Sequence, residues 1–441
     1  MLRAEWVRLV AIASRDGTRA RVLLTESLVT RPGRPFWRSV LTYGAASVFL
    51  GSALHVGNLV WTHFLSPEDY GRFANLEIVF GFAAALFTFG QHQVHLVFVR
   101  KEPQALAERA GVFALASVVL GGLAAASVLV VPDAWLARLL GSGVPRWALA
   151  GVLVAGGLAV GRQIAQGIAE GEGQAVRASL WKEAVDGARP LIAVPLFVLL
   201  GWTWEARWGG LVLAHAGAGA LALVLLFRRG RVRAPGPETE VRAALRFALP
   251  IVASTVAYVA YDSADRLFLT AYQGLESVGR YHVAYKVALV AQTVNVVVLR
   301  SFNPLFYDAH HRGDTEAALA LAKLTALRTL GVVLLLAVAL PAILWLVPIL
   351  GADYEAALPV IPVVVLGLGF QGASAFWQAA LYARSRSFSV LLIGLVTATA
   401  NVALNAILVP RFAEMGAAVA TLIAFGAMFL TTARLAHAST R

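Results

Sequence analysis

The sequence contains no cysteine. This excludes disulfide cross-links, thiolate nucleophiles and cysteine-based metal sites. Charge is scarce as well. Asp, Glu, Lys and Arg make up 14% of 441 residues, against roughly 25% in a typical soluble chain. There is no GxxxxGK(S/T) loop, and no glycine-rich dinucleotide fingerprint follows a strand pattern, so ATP hydrolysis by this chain is not expected. Nor is any polar stretch long enough for a separate catalytic domain, which points away from an enzyme. Residues 1–35 lack a sustained apolar core and carry Arg3, Arg8, Arg15, Arg19 and Arg21, so they read as a basic cytoplasmic segment rather than a cleavable signal. Leu2, Trp6, Leu9, Val10 and Ala13 fall at helical spacing. The segment is therefore either an amphipathic surface helix or a basic tail.

What the chain has instead is apolar length. Hydrophobic residues make up 59% of it and the mean hydropathy is +0.72. Apolar stretches of about 20 residues recur from Phe36 onward, each long enough to cross a bilayer as a helix. The pattern predicts an all-α integral membrane protein with twelve transmembrane helices. The first six are Trp37–Trp61, Arg72–Val97, Ala107–Val131, Trp147–Ala169, Ala175–Leu200 and Trp208–Phe227. The second six are Ala244–Tyr272, His282–Phe306, Leu324–Leu350, Leu358–Tyr382, Phe388–Val409 and Met415–Leu435. Residues 36–227 and 244–436 form two lobes. A charged, Pro- and Gly-rich linker, 228–243, joins them, and 437–441 is a short tail.

Placement explains the net charge of +12. The N-terminal segment and alternate loops hold residues such as Arg100, Lys101, Arg109, Arg177, Arg228, Arg229, Arg231, Arg233, Arg312, Arg384 and Arg434. The other loops hold Arg72, Arg138, Arg146, Arg207, Arg280 and Arg411. By the positive-inside rule, both termini are cytoplasmic. The basic excess reflects topology, so nucleic acid is not an expected partner. Trp61, Trp135, Trp147, Trp202, Trp204 and Trp208 sit near predicted outer ends, where an interfacial aromatic belt is expected.

The two lobes also look related. Phe64-Leu65-Ser66-Pro67-Glu68-Asp69-Tyr70-Gly71-Arg72-Phe73 recurs in outline as Tyr272-Gln273-Gly274-Leu275-Glu276-Ser277-Val278-Gly279-Arg280-Tyr281. Glu, Gly and Arg coincide, and aromatic residues open and close both copies. Six crossings return the chain to the same side, so the repeats insert in parallel. They should be related by a pseudo-two-fold about the membrane normal, with a cavity between them.

Charge at bilayer depth marks candidate functional residues. Lys286, Thr293 and Arg300 share one face of the eighth span. That face is either a cationic stripe along a cavity or a set of snorkelling and structurally paired side chains. Arg162, deep in the fourth span, has no acidic neighbour on its own helix within a turn, and its guanidinium suits phosphate oxygens. Gln371, Ser374 and Gln378 share one face of the tenth span, suited to sugar hydroxyls or to packing against a partner helix, and Gln166 also suits hydroxyls. In the seventh span Asp262 and Arg266 form an i,i+4 pair, with Asp265 beside them. Lys182, Asp186 and Arg189 read as a self-neutralising ladder near the inner face. Asn401 and Asn405 read as interhelical glue. The candidates for a coupling proton or sodium ion are Asp265, Asp262 and Glu77, with Asp265 first because Asp262 has Arg266 one turn away. His92 and His95 lack a third ligand for a metal. No cofactor is expected.

Three segments carry a family resemblance. Leu65-Ser66-Pro67-Glu68-Asp69-Tyr70-Gly71 resembles the "L-x-P-x-x-Y-G" between the first two helices of bacterial polysaccharide flippases. Asp265-Arg266 followed by Gly279-Arg280-Tyr281-His282-Val283-Ala284-Tyr285-Lys286 resembles the start of their second half. The run from Asn401 through Asn405, Leu408, Pro410 and Gly416 to Thr421 resembles their closing helix pair, apart from Ala413-Glu414 standing before the glycine. The family is the oligosaccharide flippase branch of the multidrug, oligosaccharidyl-lipid and polysaccharide exporter superfamily. The resemblance implies a V-shaped, two-lobed fold. It also implies alternating-access transfer of a polyprenyl-diphosphate-linked glycan across the bacterial inner membrane, with glycosyltransferases and a polysaccharide polymerase of the same pathway as partners. A cavity with Arg162, Arg266, Lys286 and Arg300 would neutralise the diphosphate, while membrane lipid would hold the tail. A cation-coupled drug or metabolite exporter of the same superfamily is the alternative, and a membrane glycan ligase or polymerase is a second.

Overall fold

A computed structural model describes residues 57–100, 102–234 and 241–438. The N-terminal segment, most of the predicted first span and linker residues 235–240 lie outside these. All regular structure among the described residues is helical.

The first repeat loop starts a helix by ordinary capping chemistry. Ser66 Oγ accepts from the Asp69 backbone N–H at 3.2 Å, Pro67 occupies the first turn, and Glu68 and Asp69 complement the helix dipole there. The helix α1 (Pro67–Phe87) ends at a break, and α2 (Gln91–Phe98) continues at 43° to it. The sequence predicts one continuous span here. Phe89 and Gly90 instead adopt φ of 50° and 60°, a left-handed corner that interrupts the helical hydrogen bonds.

The rest of this lobe comprises α3 (Pro103–Ser127), the short α4 (Asp133–Leu140), α5 (Arg146–Gly171), α6 (Ala175–Leu200) and α7 (Trp204–Arg228). The sequence reads the α4 region as loop. Arg146 organises that turn, pairing with Asp133 at 2.8 Å and donating to the Val128 and Leu129 carbonyls just past the end of α3, each at 2.7 Å. The second lobe comprises α8 (Val241–Tyr272), α9 (Leu275–His311), α10 (Thr315–Leu346), α11 (Ile361–Ala383) and α12 (Ser387–Ala438). The 52 residues of α12 are two helices joined at Ala413, where φ is 48° and ψ is −128°. The predicted loop between the last two spans thus contracts to a single non-helical residue.

Among the described residues, eight helices are long and apolar enough to cross a membrane, and the bent pair α1–α2 makes a ninth. Their outward faces are apolar, with Leu123, Leu335, Val338 and Trp345 all exposed. In water this would be a liability; in lipid it is the stable arrangement.

The lobes meet at the end where α1 and α9 begin. A β-carbon on Gly71 would strike the Leu275 carbonyl, and one on Gly279 would strike the Pro67 carbonyl. Gly71 and Gly279 hold the same place in the repeat, as do Pro67 and Leu275, so the contact is self-complementary across a pseudo-two-fold. Around it one apolar core joins both lobes, with Tyr70, Phe73, Leu76, Val278, Tyr281, Tyr354 and Val364 buried together. Toward the other end the packing divides. Val94, Ile164 and Leu226 centre one cluster, and Phe302, Phe376 and Trp377 centre another. The molecule is closed where the helices cross and holds its cavity beyond that crossing.

Candidate substrate cavity

The cavity has a volume of about 220 Å3. Its walls come from Gly81, Ala84, Ala85 and Thr88 of α1, from Gly90, His92 and Gln93 at the break, from Arg162, Gln163 and Gln166 of α5, and from Thr255 of α8. Small residues on α1 leave the space. The corner at Gly90 turns His92 and Gln93 into it.

Arg162 is the cation of this cavity. Its Nη1 donates to Gln166 Oε1 at 3.2 Å, while its Nε is buried with no hydrogen-bond partner. No carboxylate among the described residues forms an ion pair with it. Gln166 Nε2 donates in turn to Glu170 Oε1 at 3.0 Å, and His92 Nε2 lies 2.9 Å from Glu170 Oε2. Spacings of four along α5 stack Arg162, Gln166 and Glu170 on one face. The sequence reading missed Glu170 because its partner, His92, lies on a different helix.

The other predicted site residues do not line this cavity. Arg266 is 5% exposed and bound to its own helix, at 3.3 Å from Asp262 Oδ2 and 3.4 Å from Asp265 Oδ1, with its guanidinium 4.5 Å from the Tyr285 ring centre. Asp262 also accepts from Tyr285 Oη at 2.6 Å, and Asp265 from the Arg266 backbone N–H at 2.8 Å. The i,i+4 pair expected from sequence is therefore present. Lys286 does not snorkel. It is a half-buried partner of Glu77, 2.8 Å from Oε2, and His282 Nε2 approaches the same oxygen at 3.3 Å. Arg189 binds Glu77 Oε1 at 2.5 Å, which replaces the expected ladder within α6; the Lys182 side chain lies outside the described residues. Arg300 is exposed. Gln371 donates to Tyr261 Oη at 3.0 Å, Gln378 donates to Ser374 Oγ at 3.2 Å, and Ser374 is fully buried and bonded to the Gln371 carbonyl. Ser374 is thus helix packing rather than an open hydroxyl. Asn405 bonds to Asn401 on its own helix, which corrects the interhelical reading.

Two further features escaped sequence reasoning. Arg207, expected in a loop, is 5% exposed; it lies 4.2 Å over the Tyr70 ring and 4.1 Å over Phe73, and donates to Asn58 Oδ1 at 2.7 Å. Tyr70 and Phe73 stand three apart on α1, a helix face that could have signalled such a seat. Asn75 bridges the lobes by donating to Thr270 Oγ1 of α8, and donates also to the Leu140 carbonyl of its own lobe, each at 2.9 Å. The tryptophans divide too. Trp135, Trp147 and Trp202 are exposed as an aromatic belt requires, whereas Trp61 and Trp204 are buried. No group of His, Cys, Asp or Glu suited to a metal occurs among the described residues.

Two helical lobes, joined at one end over a polar cavity and faced with apolar side chains, define a multi-pass membrane protein of exporter fold. Solved structures agree. A lipid II flippase, MurJ, in an inward closed conformation matches with a TM-score of 0.72 at 15% identity, covering 89% of this chain and 87% of that one. An inward-facing multidrug resistance MATE family transporter of the MOP superfamily matches at 0.70 and 15%, covering 89% and 94%. A MOP superfamily transporter from Pyrococcus furiosus, described as having a binding pocket of reverse polarity, matches at 0.58 and 15%, covering 95% and 98%. The chain belongs to the polysaccharide biosynthesis protein family, whose model matches residues 37–310. Among curated proteins, none matches it by sequence.

Proposed function

We propose that this chain is a flippase that moves a polyprenyl-diphosphate-linked oligosaccharide across the bacterial plasma membrane by alternating access. The observation that carries the reading is Arg162, a half-buried cation on the cavity wall with no ion-pair partner among the described residues. A guanidinium at this depth with no carboxylate in direct contact is costly unless an anion arrives to meet it. A cavity of about 220 Å3 is smaller than the roughly 300–1,000 Å3 of drug-sized sites, so it suits the charged head while the glycan extends beyond. The carboxylates that an exporter of organic cations would need, Glu77, Asp262 and Asp265, are each held by an Arg or Lys. Family membership supports glycan assembly as the setting, with glycosyltransferases and a polymerase of that pathway as working partners. The basic alternate loops support cytoplasmic termini.

The test is flipping of a fluorescent polyprenyl-diphosphate-linked sugar in proteoliposomes. Loss of a charge-assisted contact is worth about 1.5–3 kcal/mol, so Arg162→Ala should lower transport by roughly 10- to 150-fold. Arg162→Lys should also be impaired, because an ammonium cannot present a two-pronged donor. Full flipping by well-folded Arg162→Ala protein would refute the reading.

A further inference from the structure

A cavity of about 220 Å3 has room for a charged head group but not for a glycan. One turn along α8 the wall changes character. Thr255 lines the cavity, and Tyr258 follows on the same helix face, roughly 4.5 Å further along the axis. Tyr258 is 43% exposed, yet it stands near the middle of α8 (Val241–Tyr272) and not at an end, where an interfacial tyrosine would meet head groups. Its hydroxyl pairs with Gln292 of α9. The ring therefore faces the space between helices rather than lipid. Behind it the packing is fixed. Tyr261 meets the ring edge-on, with centres 5.2 Å apart and planes at 80°. Tyr261 in turn lies 6.0 Å from the Phe425 ring of α12 and accepts from Gln371 Nε2 of α11 at 3.0 Å.

We propose that Tyr258 is the stacking platform for the sugar adjoining the diphosphate, with Gln292 and Gln371 meeting that sugar's hydroxyls. The proposal rests on the flippase reading and says where the glycan goes. A pyranose has a face of C–H groups and a rim of hydroxyls. An aromatic ring is negative on its faces and attracts the C–H face. Amide side chains both donate and accept, which suits the rim. Gln371 donates one N–H to Tyr261, which leaves its carbonyl oxygen to accept from a hydroxyl. Asp262, one turn beyond Tyr258, is already held by Arg266 and Tyr285, so this wall offers an organic cation a ring but no free carboxylate. Arg162 stands on α5 and Tyr258 on α8, so opposite lobes hold the diphosphate and its first sugar. A ring stack reads the shape of a sugar more than its hydroxyl pattern. The platform thus separates glycosylated from bare lipid and tolerates several pyranoses.

The experiment measures binding of two probes to the purified protein in nanodiscs. One is polyprenyl diphosphate; the other is the same lipid bearing a single glucose or N-acetylglucosamine. We expect the wild type to prefer the glycosylated lipid by roughly 2- to 10-fold, the scale of a good ring contact. Tyr258→Leu should lose this preference. Tyr258→Phe should keep it, because the ring remains. Equal binding of both lipids by the wild type, a preference that survives in Tyr258→Leu, or one that disappears in Tyr258→Phe overturns the proposal alone. So does equal weakening of both lipids in Tyr258→Leu, which would assign the ring to the lipid itself. Failure of the wild type to bind either probe overturns the diphosphate reading with it.

Discussion

Replacing Gly71 with alanine places a methyl group on the Leu275 carbonyl at the helix crossing. Backbone lies on both sides, so no side-chain rotamer can relieve the clash, and α1 and α9 must part. Overpacking of this kind costs about 1–3 kcal/mol, which converts to roughly a 5- to 150-fold shift toward the parted arrangement. Gly279→Ala, against the Pro67 carbonyl, should do the same. One separation relieves both clashes, so the double variant should exceed either single by much less than the sum. The absence of cysteine makes the assay clean: Val278→Cys places a lone thiol in the shared core, where Val278 is fully buried. Its rate of modification by a membrane-impermeant maleimide reports opening of the closed end. Slow labelling in both glycine variants, equal to that of the parent, would refute the argument that this crossing closes the molecule.

Lys286→Met should destabilise the protein by about 1.5–3 kcal/mol, because it removes one of the cations that hold Glu77 while Arg189 stays in place. Glu77→Gln should cost more, because it leaves Arg189 as well as Lys286 without the carboxylate, and thermal unfolding of the two variants checks this. Single cysteines at Ser66 and Gly230 should label from opposite sides of the membrane, which tests the orientation read from loop charge.

Most of the long helices were legible because they are apolar runs of bilayer length, a signal that needs no tertiary information; the eight-residue α4 was not. The capping run from Ser66 to Arg72 and its echo at Gly274–Arg280 were legible for the same reason: both are local chemistry. The Asp262–Arg266 pair was legible as a spacing of four on one helix. The Glu77 cluster was not. Its partners, Arg189 and Lys286, stand on α6 and α9, and a single sequence carries no record of which distant charges meet. The corner at Phe89–Gly90 was hidden because one glycine in an apolar run is common in membrane helices. It becomes a corner only where Gly90 packs on Ile251 of α8. Arg162 was legible as an unpaired cation, yet its link to His92 through Gln166 and Glu170 depended on that same corner.

The self-complementary crossing resembles the interface of a symmetric homodimer, and the comparison exposes what fusing two copies into one chain permits. In a homodimer every residue near the axis occurs twice. A carboxylate placed like Glu77 would face its twin, and like charges at close range resist ionising together. Here the position equivalent to Glu77 is Tyr285, whose hydroxyl serves Asp262 instead. Duplication within one polypeptide keeps the geometry of the dimer while freeing the two copies to diverge. One half supplies the acid and the other supplies Lys286 and His282 to meet it. The asymmetry of charge at the centre of a symmetric scaffold is available only to a protein that has become its own partner.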